Sequence, residues 1–338
     1  MKGSEHPPRT AARTWITPGA LHFLATNVLI PRRAATRFLG WLARQRHPWL
    51  ARPAIAVWRV CCGVDLSDAK LAHFATLREA FVRELRAGAR PVDGRGHVLA
   101  SPCDAIVGAI GRVQAGHAIQ AKGMPYRLEE LLGSAEEAHA AEGGTYITLR
   151  LTAGLYHRFH APHAAVVDQV RYLAGDCWNV HPAALARVPR LFCRNERAAI
   201  RLRLRAEPAA DHAASSGAPA AADGEPVLTL VAVAAVGVAS IQLHALGGTV
   251  RTRQALRRRP GVAVARGEEL GWFEHGSTIL VFAPPGFAPA PGVLPGAALR
   301  AGEAMLERVP ARAAASVPAP NTDDPDEPSR PAATMRHR

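Results

Sequence analysis

Two hydrophobic patterns divide the chain. Up to about residue 96, apolar residues recur among arginines at helical spacing. From about residue 98 they form short β-branched runs closed by Gly and Pro turns, which is how strands read. The segment 14–31 (TWITPGALHFLATNVLIP) is uncharged, but Pro18 and Gly19 interrupt it. About eleven suitable residues remain, short of the ~20 that span a bilayer. The next stretch, PRRAATRFLGWLARQRHPWL, sets Phe38, Leu39, Trp41, Leu42 and Trp49 against arginines. An apolar stripe with a basic face suits a helix lying in a membrane interface, or a basic-faced helix packed on its own domain. Residues 66–86 (LSDAKLAHFATLREAFVRELR) predict one further helix, ending before Gly88 and Pro91.

The runs VLASPCDAIVGAIGRV, TYITLRLT, AAVVDQVRYL, AAIRLRLRA, PVLTLVAVAAVGVASIQLHAL and GSTILVFAP predict the strands of a compact β-rich domain. The fold class is therefore α+β: N-terminal helices, membrane-associating or packed on their own domain, then a compact sandwich- or barrel-like β-rich domain. The boundaries fall at 1–65 for the basic amphipathic region, 66–96 for a helix and linker, and 97–309 for the β-rich domain. Low-complexity residues 206–225 form a flexible insert, and 310–338 a disordered tail. No internal repeat is visible.

Charge sharpens the N-terminal reading. Net charge is +13, and residues 1–60 hold ten Lys or Arg against Glu5 alone. That excess points to an anionic partner, membrane surface or nucleic acid. The basic region lacks aromatic stacking motifs, which disfavours nucleic acid. Five cysteines without a C-x-x-C pair support neither a disulfide framework nor a zinc site, and no metal is expected. A reducing compartment follows, and the first 13 residues lack the apolar core of a signal peptide.

Four patches carry candidate chemistry. Asp104 in Ser-Pro-Cys-Asp opens a strand, either as a turn cap or to orient a histidine. His157, His160 and His163 fall within YHRFHAPH. The His157/His160 spacing suits a metal only on a helix, and Gly154 and Pro162 argue against one. A general base with a substrate contact fits better. FCRNER (192–197) reads as a solvated turn, a structural ion network or a phosphate-facing cluster. Gly276-Ser277 is a turn before a strand, and no G-x-S-x-G elbow occurs anywhere in the chain.

In order along the chain, AFVRELRAGARPVD, SPCD, IQAKGMPYRLEELLG, YHRFHAPH, HPAALARVPRLFCRNER and RGEELGWFEHGST together resemble the bacterial phosphatidylserine decarboxylase proenzyme family. The resemblance runs from about residue 35 to about residue 286. It implies a precursor that cuts itself between Gly276 and Ser277 into chains 1–276 and 277–338, which stay associated. Ser277 would become a covalent pyruvoyl group. Asp104, His160 and Ser277 would form the self-cleavage triad, with Asp104 holding the imidazole as in hydrolytic triads. His157 would face the substrate. The pyruvoyl ketone would form a Schiff base with phosphatidylserine, as pyridoxal phosphate does with amino acids elsewhere. Only Lys2, Lys70 and Lys122 are present, so a built-in carbonyl suits this chain better than a lysine-held cofactor.

The resemblance further implies phosphatidylethanolamine synthesis by a peripheral enzyme, expected as a homo-oligomer on the cytoplasmic face of the cell membrane. The alternatives are another amino-acid-bearing lipid substrate, or an unprocessed basic membrane-binding protein. The chain departs from the family at Ala105, where glycine is usual and where the turn must avoid positive φ or be strained. It also departs at His275, usually apolar, and at Ala234 and Ala239, usually glycine.

Overall fold

The computed structural model describes residues 38–119, 124–206, 225–235, 241–249, 255–274 and 277–309. The insert 207–224, the tail from 310, and the residues His275 and Gly276 lie outside them. Among the described residues the architecture is α+β with short helices and four antiparallel sheets.

The largest sheet runs, by first residue of each strand, Leu256, Ala165, Arg197, Val227, Ser277, Thr145, Ala105 and Ala298, with Val262–Val264 also paired to the Ala165 strand. Its centre is Ser277–Ala283, buried at all seven positions. Ile279, Val281 and Ala283 face one core, and Leu280 and Phe282 face a second. A strand covered on both faces needs no polar alternation, which explains the unbroken apolar run. Register shifts between Val107 and Ile110 and between Val167 and Gln169 bend the sheet around its first core.

A four-stranded sheet, Gly248–Thr249, Ile241–Leu243, Glu269–Phe273 and Arg158–His160, brings the histidine motif beside the strand that leads to Ser277. A three-stranded sheet joins Val98–Ala100, Ala304–Arg308 and Phe287–Pro289.

Residues 31–50 do not form one helix where described. Residues 38–42 are helical, the chain turns through 43–47, and a new helix begins at Pro48. Proline suits that first position because its missing N–H would be unbonded there. The Pro48–Cys62 helix ends at Gly63, in the left-handed conformation. It buries only Ala51. Trp58 anchors it, donating to the Ala153 carbonyl (3.0 Å) and packing on Phe81. A Cβ on Gly154 would lie 2.3 Å from the Cys62 carbonyl oxygen, so glycine lets this helix end touch the loop before the histidines.

The predicted helix 66–86 is corrected to Leu77–Phe81 alone. Asp65 accepts from the Ser67 N–H and hydroxyl, making a turn. Lys70 N–H then bonds the Glu84 carbonyl, and Ala69 pairs with Leu85, so the chain doubles back. Thr76 caps the short helix by accepting from Glu79 N–H, while Glu79 accepts from Ala75 N–H.

Candidate active site

Sheet register brings Ser277 and Asp104 to the same end of the molecule. Ser277 pairs with Leu151 on one side and Ala234 on the other. Ile106 pairs with Arg150, so one further step of that register sets Ala105 beside Leu151. Asp104, one residue earlier, thus lies two strand spacings from Ser277, about 10 Å. Ser277 is 1% exposed, and among the described residues its hydroxyl has no hydrogen-bond partner. Buried hydroxyls are usually bonded, and leaving one unmet costs about 1–3 kcal/mol.

Ala105 adopts no positive φ; among the described residues only Ala115 and Arg190 do so without being glycine. The alanine enters the strand without strain, so the substitution for glycine leaves the Asp104 turn intact.

His160 is held to the sheet by its own N–H, which donates to the Pro102 carbonyl (2.8 Å). Its Nδ1 lies 3.0 Å from the Gly267 carbonyl oxygen and its Nε2 3.2 Å from the Tyr156 hydroxyl. A carbonyl oxygen only accepts, so Nδ1 carries the proton and Nε2 the lone pair, to which Tyr156 donates. Burial lowers the His160 pKa from its ordinary value, opposed by the bond to Gly267 and by the charges of Glu269 and Asp104. A neutral imidazole with its lone pair on Nε2 is the form that can take a proton. Burial pushes the Tyr156 phenol pKa up, keeping it a donor.

Asp104 does not take the orienting position on Nδ1; the Gly267 carbonyl does. Instead Asp104, 5% exposed, accepts Arg90 Nε (2.8 Å) and Nη2 (2.6 Å) on its two oxygens, and Ala301 N–H (2.9 Å). Arg90 also pairs with Asp68 (2.9 Å) and lies 6.0 Å from the Tyr156 ring centre. Asp104 therefore reaches His160 through Arg90 and Tyr156 and through space. A cavity of ≈ 60 Å³ opens between Arg90, Ser101, His160 and Gly302.

His157 is fully buried, with the Phe81 ring centre 4.0 Å away and tilted by 38°. Its Nδ1 is 2.8 Å from the Leu155 carbonyl, which fixes the proton on Nδ1. Its own carbonyl accepts Phe273 N–H (3.0 Å), four residues before Ser277, whereas His160 pairs with Glu269, eight before. Of the two, His157 is the nearer to the junction along the ladder. His163 lies apart, near the Gly96 carbonyl.

FCRNER is neither a solvated turn nor phosphate-facing. Arg197 is buried and donates to the carbonyls of Leu131, Cys193, Asn195 and Glu130. The Asn195 amide donates to the carbonyls of Trp178 and Ala234. Since Ala234 pairs with Ser277, this knot fixes the strand beside the serine.

Sequence reasoning assigned no role to Arg90, Tyr156 or Glu274. All three stand inside the quoted motifs, but only the fold shows what they touch. Among the described residues, no cluster of three or more His, Cys, Asp or Glu is placed to hold a metal ion.

Fold and site define a β-rich enzyme built around a strand-opening serine, with histidines and a buried carboxylate gathered at one end of the sheet. A family model described as phosphatidylserine decarboxylase matches residues 77–307. A phosphatidylserine decarboxylase proenzyme of Alcanivorax borkumensis is 34% identical over 288 residues, 82% of this chain and 93% of that protein. Proenzymes of the same name from Yersinia pestis and Yersinia pseudotuberculosis are 32% identical over 296 residues, covering 83% of this chain and 94% of each. The chain belongs to the phosphatidylserine decarboxylase family.

Proposed function

We propose that the chain cuts itself between Gly276 and Ser277, converts Ser277 to a pyruvoyl group, and decarboxylates phosphatidylserine to phosphatidylethanolamine for phospholipid synthesis. The observation that carries this is the buried Ser277 hydroxyl, unpartnered among the described residues, at the start of the central strand. That hydroxyl contributes nothing to the core as a hydrogen bond, which fits a group kept for reaction.

His160 Nε2 takes the Ser277 hydroxyl proton, once Tyr156 yields its bond. Oγ adds to the Gly276 carbonyl carbon, and the Ser277 nitrogen leaves that carbon as an amine, giving an ester. Loss of the Ser277 Cα proton expels the Gly276 carboxylate and leaves dehydroalanine. Tautomerisation and water addition then release ammonia and leave the ketone. Asp104 acts through its negative charge and through Arg90, which holds the Tyr156–His160 pair. The ketone supplies an electrophile for the substrate amine and an electron sink as CO₂ leaves. His157, once its Nε2 has taken a proton from water, is the group proposed to deliver that proton to the carbon that lost CO₂, returning to the neutral imidazole held through Nδ1.

The N-terminal region supports a membrane-bound substrate. Trp49 is 74% and Val60 84% exposed, Phe38 and Trp41 stack in the open, and Arg46, Arg52 and Arg59 stand among them. Among the described residues, no helix is long and apolar enough to cross a membrane. We place the enzyme peripherally on the anionic cytoplasmic face of the cell membrane, as a homo-oligomer whose two chains remain associated.

Intact mass tests the reading: two fragments, the smaller beginning at residue 277 and blocked to Edman degradation, with Ser277→Ala giving one uncut chain. Uncut wild-type protein overturns it. Liposomes of phosphatidylserine, set against vesicles of other amino-acid-bearing lipids, identify the substrate.

A further inference from the structure

Glu274 stands two residues before the proposed cut, yet it is 4% exposed. A carboxylate is rarely buried unless it is paired. Its Oε1 accepts Arg78 Nη2 (2.5 Å), and its Oε2 accepts Arg78 Nε (3.1 Å) and Arg44 Nη2 (2.7 Å). The Arg78 contact is a two-pronged fork, which fixes direction as well as distance. The Glu274 bonds raise the Arg78 pKa.

Both arginines come from the N-terminal elements. Arg78 lies on the short helix Leu77–Phe81, whose Arg78 N–H bonds the Ala43 carbonyl, next to Arg44. Three residues on, Phe81 packs at a tilt against both His157 and Trp58 of the exposed helix. One five-residue helix thus touches Glu274 upstream of the junction, His157 and the exposed N-terminal helix.

Downstream, Ser277 is locked between two neighbouring strands. Upstream, Phe273 is paired to the His157 carbonyl and Glu274 is held by its ion pairs. Only His275 and Gly276 lie between the two anchors. Attack by Ser277 Oγ on the carbonyl just before it needs that short link held in one unusual geometry.

We propose that Glu274 is a positioning residue for maturation: its ion pairs with Arg78 and Arg44 anchor the upstream side of the cleavage junction, so that the Gly276 carbonyl is presented to Ser277. This rests on the self-processing reading above. Without Glu274, Arg44 and Arg78 would turn to solvent, and the link would gain freedom at one end.

Pulse-chase in cell-free translation measures the rate at which full-length precursor becomes two chains. Wild type, Glu274→Gln, Glu274→Asp and the reversed pair Glu274→Arg with Arg78→Glu are compared, each with its unfolding temperature. The expected result is a fall of roughly 10- to 100-fold for Glu274→Gln. Glu274→Asp, which keeps the charge, and the reversed pair both recover rate. If Glu274→Gln does not fold, Arg78→Lys carries the test: it retains the charge, loses the fork, and slows cleavage. Cleavage of Glu274→Gln (or, in its place, Arg78→Lys) at the wild-type rate overturns the proposal. So does slowing that merely follows a lowered unfolding temperature and is not relieved by Glu274→Asp. An uncut wild-type chain overturns the self-processing reading instead, and the two failures are distinguishable.

Discussion

Asp104 is clasped by Arg90, with both carboxylate oxygens bonded to one guanidinium at 2.8 and 2.6 Å. That pair, not an Asp–His bond, is how the carboxylate is held in the folded chain. Breaking a buried pair by removing one partner strands the other charge, typically at about 3–5 kcal/mol. The Arg90 side chain retains some solvent contact, so the lower end applies. Arg90→Gln is expected to lower stability by about 3 kcal/mol and to slow cleavage. Arg90→Gln with Asp104→Asn should recover most of the stability but not cleavage, because the buried Asp104 charge is gone and only the partly exposed Asp68 still lacks its Arg90 contact. Chemical denaturation and intact mass on the two variants check this, and recovery of both properties would show that the Asp104 charge is dispensable.

Tyr156 donates to the lone pair of His160, which favours the neutral imidazole. Burial lowers the His160 pKa as well. The cleavage rate should therefore stay level as pH falls through the ordinary histidine value of about 6.5 and drop only below it. Tyr156→Phe removes the donor, so the acid limb should move to higher pH. The stability sign follows the same linkage. Unfolded, His160 takes a proton near its ordinary value; folded, it resists. Its contribution is complete above about pH 6.5 and is lost as pH falls toward the folded pKa. Rate–pH profiles of the two precursors in cell-free translation check the shift, and superimposed acid limbs would count against Nε2 as the base.

Ala105 tests how far a departure from the family pattern matters. Its backbone is ordinary and its side chain buried at the start of a strand. Ala105→Gly adds freedom to the unfolded chain and removes a packed methyl, so a loss of about 1 kcal/mol is expected. Cleavage should be unchanged. A gain in stability, measured by chemical denaturation, would mean that the turn prefers a conformation alanine resists.

Thr145–Leu151, Ala165–Leu173, Arg197–Leu204 and Ser277–Ala283 were legible because each is an apolar run between turn residues, whereas Arg158–His160 and Glu269–Phe273 carry no such run, and the single run expected over 226–246 divides into Val227–Ala234 and Ile241–Leu243 in different sheets. The helix 66–86 was not legible, because its periodicity is genuine while Asp65 and Thr76 carry local turn and cap chemistry that overrides it. The candidate residues Asp104, His157, His160 and Ser277 were legible as motifs. Their partners were not: Arg90 is 14 residues from Asp104, Gly267 is 107 from His160, and Arg44 is 230 from Glu274. No local pattern encodes such pairings; register and chain path do.

The exposed residues of the N-terminal helices carry the last prediction. Trp41 and Trp49 project large rings into solvent beside Arg46 and Arg52. Indole rings favour the headgroup level of a bilayer, and each basic side chain near an anionic surface adds about 1 kcal/mol. Neither ring fills the protein core, so Trp41→Ala with Trp49→Ala should leave the unfolding temperature and self-cleavage nearly unchanged. Binding to vesicles containing phosphatidylserine should weaken by at least about tenfold, reflecting two buried aromatic side chains. Raising salt should weaken what remains, since the residual attraction is electrostatic and screened within about 10 Å at 0.1 M. Vesicle co-sedimentation across a salt series checks both effects. If the double variant binds like wild type at every salt concentration, this face is not the membrane-facing one.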